Sequence, residues 1–174
     1  MTEQRLVTSD GRPVFLVGFM GSGKSETGRA LARLLGYSFL DLDVSIEERA
    51  GKPVREIFAQ FGEQEFRRLE TEAITSLAGV KSSVVALGGG AYQSEENREL
   101  LRAAGVAVWL DCPFNICFER VKGDTARPLL AGRDETNKLF DQRRAAYGLA
   151  DLAIETGSLS AEQVAAEIIA KVTA

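Results

Sequence analysis

A short segment near the amino end has the residue types and spacing of a phosphate-binding loop. Residues 18–25 read Gly-Phe-Met-Gly-Ser-Gly-Lys-Ser, which matches G-x-x-x-x-G-K-[ST] at every fixed position. Glycines let successive backbone N–H groups converge on phosphate oxygens, and a helix beginning near Lys24 adds the positive end of its dipole. Lys24 then reaches the β- and γ-phosphates, and the Ser25 hydroxyl suits a magnesium ion. The residues expected beside the phosphates of a nucleoside triphosphate are Gly21, Ser22, Gly23, Lys24, Ser25 and Glu26.

This loop does not by itself distinguish kinases from GTPases and other ATPases. A GTPase would need a guanine-reading N-K-x-D motif, and here Asn137-Lys138 is followed by an aspartate only at Asp141, one residue too late. Motor and AAA-type ATPases are normally larger than this chain of 174 residues. A small-molecule kinase is the best fit.

Two aspartates, Asp41 and Asp43, follow the second predicted strand. A parallel strand delivers its carboxyl end to the ligand crevice, so both carboxylates should face the phosphate loop. The alternative is that they cap the helix that follows, and we expect capping to be part of what Asp43 does.

Short apolar runs alternate with longer amphipathic segments along the whole chain. Glycines and prolines separate them, with Gly36 placed to end the first helix and Ser160-Ala-Glu-Gln163 forming a capping box for the last. Strands that alternate with helices predict an α/β fold, a three-layer sandwich whose five-stranded parallel sheet is covered on both faces. The predicted strands are residues 13–17, 38–42, 84–87, 106–110 and 152–154.

The predicted domain organisation is simple. Residues 1–12 are expected to form a flexible extension, and residues 13–174 a single domain. Within it, residues 122–134 have weak periodicity and carry glycines, a proline and charges, so we expect a long mobile loop there.

Composition excludes several classes of function. The net charge of −4 argues against nucleic acid as a partner, because phosphate backbones need a basic face. Without histidine, and with only two cysteines, a zinc site is excluded. No apolar run approaches a membrane span, and the amino end lacks the apolar core of a signal peptide, so we expect a cytoplasmic protein without membrane contact. No segment of the sequence indicates a subunit interface, so we expect a monomer.

Two further motifs make the assignment specific. They are Gly62-Glu-Gln-Glu-Phe-Arg67-Arg68-Leu-Glu70 and the run Gly88-Gly-Gly90. With the phosphate loop and Asp41-Leu-Asp43, they make residues 14–147 resemble the shikimate kinase family. The resemblance implies a P-loop fold of the nucleoside monophosphate kinase type. It also implies an enzyme that phosphorylates the 3-hydroxyl of shikimate with ATP and Mg²⁺, in aromatic amino-acid synthesis.

The resemblance also implies roles for individual residues. Asp43 would bind the substrate hydroxyls and act as the base, while Asp41 would lie with Ser25 on the magnesium side. Arg67 and Arg143 would hold the substrate carboxylate. The loop at residues 122–134 would be a lid, with Arg127 reaching the transferring phosphoryl group. The remaining positions implied are Arg120 beside the adenine and Gly88, Gly89 and Gly90 against the substrate.

Several points stay open from the sequence. Glu26 stands where the family usually has threonine or serine, which predicts weaker nucleotide binding. The missing proline after Arg143 leaves Arg144 as an alternative carboxylate ligand, and Arg120 is as easily a solvent-facing arginine. For Arg68 a surface position is favoured, whereas Phe58 and Phe66 are either pocket wall or ordinary core.

Two other functions compete with shikimate phosphorylation. A gluconate-type kinase would share the phosphate loop but would lack the Arg67 and triple-glycine patterns. A protein that senses ATP without turnover would have a damaged lid or base, whereas Lys24, Asp43 and Arg127 are all present.

Overall fold

Five strands and seven helices alternate along residues 10–127 and 130–172, the part of the chain that the computed structural model describes. The strands are β1 Val14–Val17, β2 Ser38–Asp41, β3 Ser83–Ala86, β4 Val106–Asp111 and β5 Leu152–Glu155. The helices are α1 Lys24–Leu35, α2 Leu42–Ala50, α3 Val54–Thr75, α4 Glu95–Ala104, α5 Phe114–Val121, α6 Arg133–Tyr147 and α7 Ala161–Val172. A 3₁₀ turn, Ala91–Gln93, precedes α4 and was not predicted. The predicted order of elements is confirmed.

The sheet is parallel throughout and has the strand order β2-β3-β1-β4-β5. Its central strand β1 pairs with β3 on one side and β4 on the other, with Leu16 opposite Ala86 and Val108. The chain therefore changes direction across the sheet at the carboxyl end of β1, the position at which open parallel sheets bind ligands. Residues 18–25 begin at this point.

Alternate residues of each strand face opposite layers. Phe15 and Val17 point into one core with Ile57, whereas Val14 and Leu16 point into a second core with Leu31. The second core lies under α1 and α7, and helices α2 to α6 cover the first. Strands buried on both faces are continuously apolar, which is why the runs were recognisable in the sequence. The predicted three-layer α/β sandwich is confirmed.

Local signals fixed several boundaries as predicted. Gly36 ends α1 with a φ of 67°, and Ser160 and Gln163 exchange the two hydrogen bonds of a capping box before α7. Helix α3 has a kink at Gly62, where φ is 84° and ψ is 172°. The kink gives the amino-terminal part of α3 a direction of its own.

Two predicted segments are described only in part. Residues 1–9 of the proposed amino-terminal extension lie outside the described residues, while Gly11 accepts a backbone hydrogen bond from Ser82. The proposed lid lies between α5 and α6, and its last two residues belong to α6; Pro128 and Leu129 are outside the description. Mobility of either segment stays a prediction. Among the described helices, none is both long and apolar enough to cross a bilayer.

Candidate active site

The phosphate loop connects β1 to α1 at the centre of the sheet's carboxyl edge. Gly23 has a φ of 91° directly before α1, and Lys24 begins the helix. The Lys24 ammonium group folds back over the loop and donates to the carbonyl oxygens of Gly18 and Phe19, at 2.8 and 2.9 Å. Burial, and then the nearby Arg127, lower the pKa of Lys24 to about 8. The loop therefore holds the ammonium group of Lys24 close to the place where a phosphate group would bind.

Asp41 links the phosphate loop to the end of β2. Its Oδ2 accepts a hydrogen bond from Ser25 Oγ at 2.8 Å, and its Oδ1 accepts from the backbone N–H groups of Asp43 and Val44. Asp41 is therefore the cap of α2, and the expectation that Asp43 takes part in capping is wrong. The reason is that Asp43 already lies in the first helical turn, beyond the position that a cap occupies. The paired hydroxyl and carboxylate oxygens of Ser25 and Asp41 fit a hard cation such as Mg²⁺.

Asp43 points from the first turn of α2 into the space beyond the loop. Its Oδ1 is buried and has no hydrogen-bond partner among the described residues. Burial raises the pKa of Asp43, the charge of Asp41 raises it further, and Lys24 opposes both. A carboxylate in this position gains from any ligand hydroxyl that donates a hydrogen bond to it.

A pocket of about 230 Å³ is lined by Asp43, by the buried acid Glu70 and by three arginines, which are Arg67, Arg127 and Arg143. Arg67 Nη1 donates to Glu70 Oε1 at 2.9 Å, and Arg67 Nη2 lies 3.2 Å from Glu63 Oε1. Arg143 is only 6% exposed, and burial lowers the pKa of its guanidinium. The other main lining residues are Met20, Val54, Phe58, Phe66 and Gly88 to Gly90.

Arg68 and Arg144, the sequence neighbours of Arg67 and Arg143, do not face the pocket. This decides between the alternatives that the sequence left open. Arg68 pairs with Glu65 and Glu72 on the outer surface of α3, and its side chain is 53% exposed. Arg144 binds both oxygens of Asp111, at 2.7 and 3.2 Å, and stacks on the Trp109 ring. Arg143, not Arg144, therefore lines the pocket. Phe58 and Phe66 both line it as well, with ring centroids 4.8 Å apart.

The glycine run after β3 is crowded by the site's own charged groups. A Cβ at residue 88 would lie 2.8 Å from Asp43 Oδ1 and 3.0 Å from Glu70 Oε2. A Cβ at residue 89 would lie 3.2 Å from Arg143 Nη1, and one at residue 90 would collide with the Arg67 guanidinium. The sequence suggested close approach of a ligand, but the first requirement for glycine here is the space that these four side chains occupy.

Three cavities adjoin along the carboxyl edge of the sheet. The pocket with Arg67 and Arg143 shares Asp43 and Arg127 with a second cavity of about 590 Å³, lined by the phosphate loop. That cavity shares Glu26 and Arg120 with a third of about 520 Å³, which reaches Thr156 and the start of α7. Arg120 is exposed, and its Nη1 donates to the Gly21 carbonyl at 3.0 Å. Lid residue Arg127 pairs with Asp124 at 3.0 Å.

Two residues that shape the pocket received no role from the sequence. Glu70 is fully buried, and burial raises its pKa to about 7 although the adjacent Arg67 opposes the shift. Its spacing of three from Arg67 on a helix was the available signal. Tyr147 is buried and its hydroxyl donates to the Gly89 carbonyl at 2.5 Å, which holds the glycine run in place. A buried tyrosine hydroxyl needs a hydrogen-bond partner, but only the tertiary structure shows which group that partner is.

Comparison with known proteins agrees with this geometry. The family model described as shikimate kinase matches residues 20–173. A shikimate kinase of Geobacter sulfurreducens is 52% identical over 165 residues, covering 93% of this chain and 91% of that protein. The solved shikimate kinase of Acinetobacter baumannii in complex with shikimate superposes with a TM-score of 0.89 at 36% identity, covering 94% of this chain and 93% of the other.

A gluconokinase from Sinorhizobium meliloti shares the fold alone, with a TM-score of 0.61 at 18% identity over 93% of this chain and 91% of its own. The match to the family model spans most of the phosphate loop, the pocket and the proposed lid. The chain belongs to the shikimate kinase family.

Proposed function

We propose that this protein transfers the γ-phosphoryl group of ATP to the 3-hydroxyl of shikimate, giving shikimate 3-phosphate and ADP. The observation that carries the proposal is the position of Asp43 and Arg127, which line both the arginine pocket and the phosphate-loop cavity. A hydroxyl in the first cavity and a phosphoryl group in the second would meet between these two side chains. Membership of a family of ATP-dependent kinases supports the same reaction.

The arginine pocket matches the chemistry of shikimate. A planar carboxylate between Arg67 and Arg143 would accept paired hydrogen bonds from guanidinium groups. Because Arg143 is buried and forms no ion pair with a carboxylate of the described residues, an anionic ligand would complete its surroundings. The ring hydroxyls would then reach Asp43 and the backbone N–H of Gly89, and Gly88 and Gly90 would border the ring. Phe58 and Phe66 would cover its apolar face.

The reaction itself needs little covalent chemistry from the protein. The oxygen of the 3-hydroxyl forms a bond to the γ-phosphorus, and Asp43 accepts the proton of that hydroxyl. At the same time, the bond from the γ-phosphorus to the bridging oxygen of ADP breaks. Lys24 and Arg127 stabilise charge on the transferring group, and closure by the lid excludes water. Ser25 and Asp41 would hold the Mg²⁺ that accompanies ATP, and bound Mg²⁺ neutralises charge on the β- and γ-phosphates. Positioning therefore supplies most of the rate enhancement.

The nucleotide side of the proposal uses the second and third cavities. Gly21, Ser22 and Gly23 would offer backbone N–H groups to the phosphates, and Arg120 would lie beside the adenine. Glu26 is exposed at the border of both cavities and brings a carboxylate where a hydroxyl is usual, which keeps the expectation of weaker ATP binding. We further propose a monomer that acts in the cytoplasm and binds neither nucleic acid nor membrane.

Formation of ADP from ATP and Mg²⁺ tests the reaction. We expect shikimate to stimulate ADP release strongly, whereas gluconate, a sugar acid of similar charge, leaves the basal rate unchanged. Lys24→Ala should lower the shikimate-dependent rate by at least about 100-fold, because it removes the main cation at the γ-phosphate. Equal stimulation by gluconate would contradict the substrate assignment, and a wild-type rate in Lys24→Ala would contradict the phosphate-loop assignment.

Arg67 and Arg68 form a matched pair for testing the carboxylate site. Arg67→Ala should raise the KM for shikimate by roughly 10- to 100-fold, because the shikimate site loses a charged hydrogen-bond donor. The KM for ATP should change less than about twofold, because the ATP site keeps all its groups. Arg68→Ala removes the same group from the outer face of α3 and should leave both constants unchanged. Steady-state kinetics with each substrate varied measures this, and equal effects of Arg67→Ala on both KM values would exclude a carboxylate role.

The buried acids predict a pH dependence. Burial raises the pKa of Asp43 and raises that of Glu70 to about 7, so Glu70 takes up a proton as the pH falls through about 7. Protonation of Glu70 weakens its hold on Arg67, so kcat/KM for shikimate should fall below pH 7, and protonation of the base Asp43 lowers it further. Glu70→Gln should lower kcat/KM and move the acid limb to lower pH, since removal of that negative charge makes Asp43 easier to ionise. Identical profiles for wild type and Glu70→Gln between pH 5.5 and 8 would contradict the coupling.

A further inference from the structure

The first residue of α6 carries a charge of the wrong sign for its place in the helix. Arg133 lies at the end of the proposed lid and is the first residue of α6, where the backbone dipole favours anions. The next two residues, Asp134 and Glu135, fit that preference, and Arg133 does not. An arginine at this point therefore needs an interaction elsewhere that offsets the unfavourable field.

That interaction is a stack on two aromatic rings of α5. The Arg133 guanidinium carbon lies 5.4 Å from the centroid of Phe114 and 5.2 Å from that of Phe118. The two rings are 5.6 Å apart, and Phe114 also packs edge-on against Phe140 of α6 at 5.4 Å. Cations within about 6 Å of a ring centroid are attracted by the ring quadrupole. One guanidinium thus joins the start of α6 to the outer face of α5.

The residues that precede Arg133 connect this stack to the lid arginine. Ala131 and Gly132 offer their carbonyls to the hydroxyl and backbone N–H of the buried Thr136, at 3.2 and 2.9 Å. Leu130 packs against the core and its N–H donates to the Arg127 carbonyl at 3.1 Å. We call residues 130–133 the lid stem. Displacement of the lid stem would displace Arg127, because a hydrogen bond joins them.

Helix α5 also supports the other side of the reaction centre. The lid leaves α5 at Lys122, so both ends of the lid rest on this one helix. At the same time the backbone of α5 underlies the phosphate loop, where a Cβ at residue 21 would lie 2.5 Å from the Cys117 carbonyl oxygen. Arg120 of the same helix donates to the Gly21 carbonyl. The rings that hold Arg133 are therefore fixed relative to the phosphates.

We propose that Arg133 is a positioning residue for phosphoryl transfer: by stacking on Phe114 and Phe118 it fixes the lid stem on α5, so that Arg127 is held at the border of the phosphate-loop cavity. The proposal rests on the proposed function for its kinetic consequences, but not for the structural ones. Arg133 itself does not line any of the three cavities described above, so its effect is exerted through Arg127.

The test compares Arg133→Ala with Lys138→Ala, which removes the same charge from an exposed position five residues further along α6. Arg133→Ala should lower kcat for shikimate phosphorylation about tenfold, the size of effect that a lost cation–π stack can have on placement of one transition-state contact. KM for shikimate should stay within about twofold, because the arginine pocket is untouched. Shikimate-independent ATP hydrolysis should rise relative to turnover, and Lys138→Ala should match wild type in all three quantities.

A double-mutant cycle separates the stack from a general loss of stability. Phe118→Leu should reproduce part of the kcat loss, and adding Arg133→Ala to it should cost less than in the wild-type background. Arg133→Lys should restore part of kcat, because an ammonium group also stacks on a ring. An additive cycle, or an Arg133→Ala enzyme with the kinetics of Lys138→Ala, would overturn the proposal.

Limited trypsin cleavage after Lys122 gives a readout that does not depend on the acceptor substrate. Arg133→Ala should accelerate this cleavage several-fold at a temperature where thermal melts show the variant folded, and Lys138→Ala should not. If shikimate fails to stimulate the wild type but the cleavage difference appears, the proposed function fails and the role of Arg133 in fixing the lid stem stands. If shikimate stimulates normally and cleavage rates are equal, the role of Arg133 fails alone.

Discussion

The carboxyl edge of the parallel sheet collects charged groups that the protein pairs with one another only in part. Lys24 donates hydrogen bonds to two carbonyl oxygens, Arg143 is buried, and one carboxylate oxygen each of Asp43 and Glu70 lacks a hydrogen-bond partner among the described residues. Each carboxylate oxygen left without a partner costs about 1–3 kcal/mol. The two continuous apolar cores on either side of the sheet offset that cost.

This arrangement accounts for the residues around the charges as well as for the charges themselves. The glycine run is required because carboxylates and guanidiniums occupy the space that side chains would take, and Tyr147 fixes the run from below through the Gly89 carbonyl. A ligand with one carboxylate, hydroxyls and an adjacent triphosphate would supply the missing partners in all parts of the site at once. Binding of the two substrates in neighbouring cavities would then place the reacting atoms between Asp43 and Arg127, which line both.

The sequence was sufficient where the chemistry depends on neighbours along the chain. The phosphate loop, the strand runs and the capping box at Ser160 are local patterns, and the structure reproduces them. The sequence was insufficient where the role of a residue depends on which face of a helix it occupies. Arg143 and Arg144 differ by about 100° around α6, and only the packing of α6 beside β4 puts Arg144 on Asp111. In the same way, α2 begins directly after Asp41, so Asp41 and not Asp43 is its cap.

The buried acid Glu70 shows a further limit of sequence reasoning. It stands in a stretch of α3 crowded with exposed charges, such as Glu63 and Arg68, and nothing in its type distinguishes it from them. It is buried because it faces the glycine run, where a Cβ at residue 88 would lie 3.0 Å from its Oε2 atom. Residue type predicted the chemistry of this site, whereas backbone direction decided which charges take part.

A crystal structure with shikimate, ADP and Mg²⁺ bound would test the central claim most directly, namely that the partly paired charges at the sheet edge are completed by the two substrates. The account predicts the shikimate carboxylate between Arg67 and Arg143 and its 3-hydroxyl within hydrogen-bond distance of Asp43, facing the ADP phosphates. A carboxylate bound away from both arginines, or a 3-hydroxyl directed away from Asp43, would contradict it.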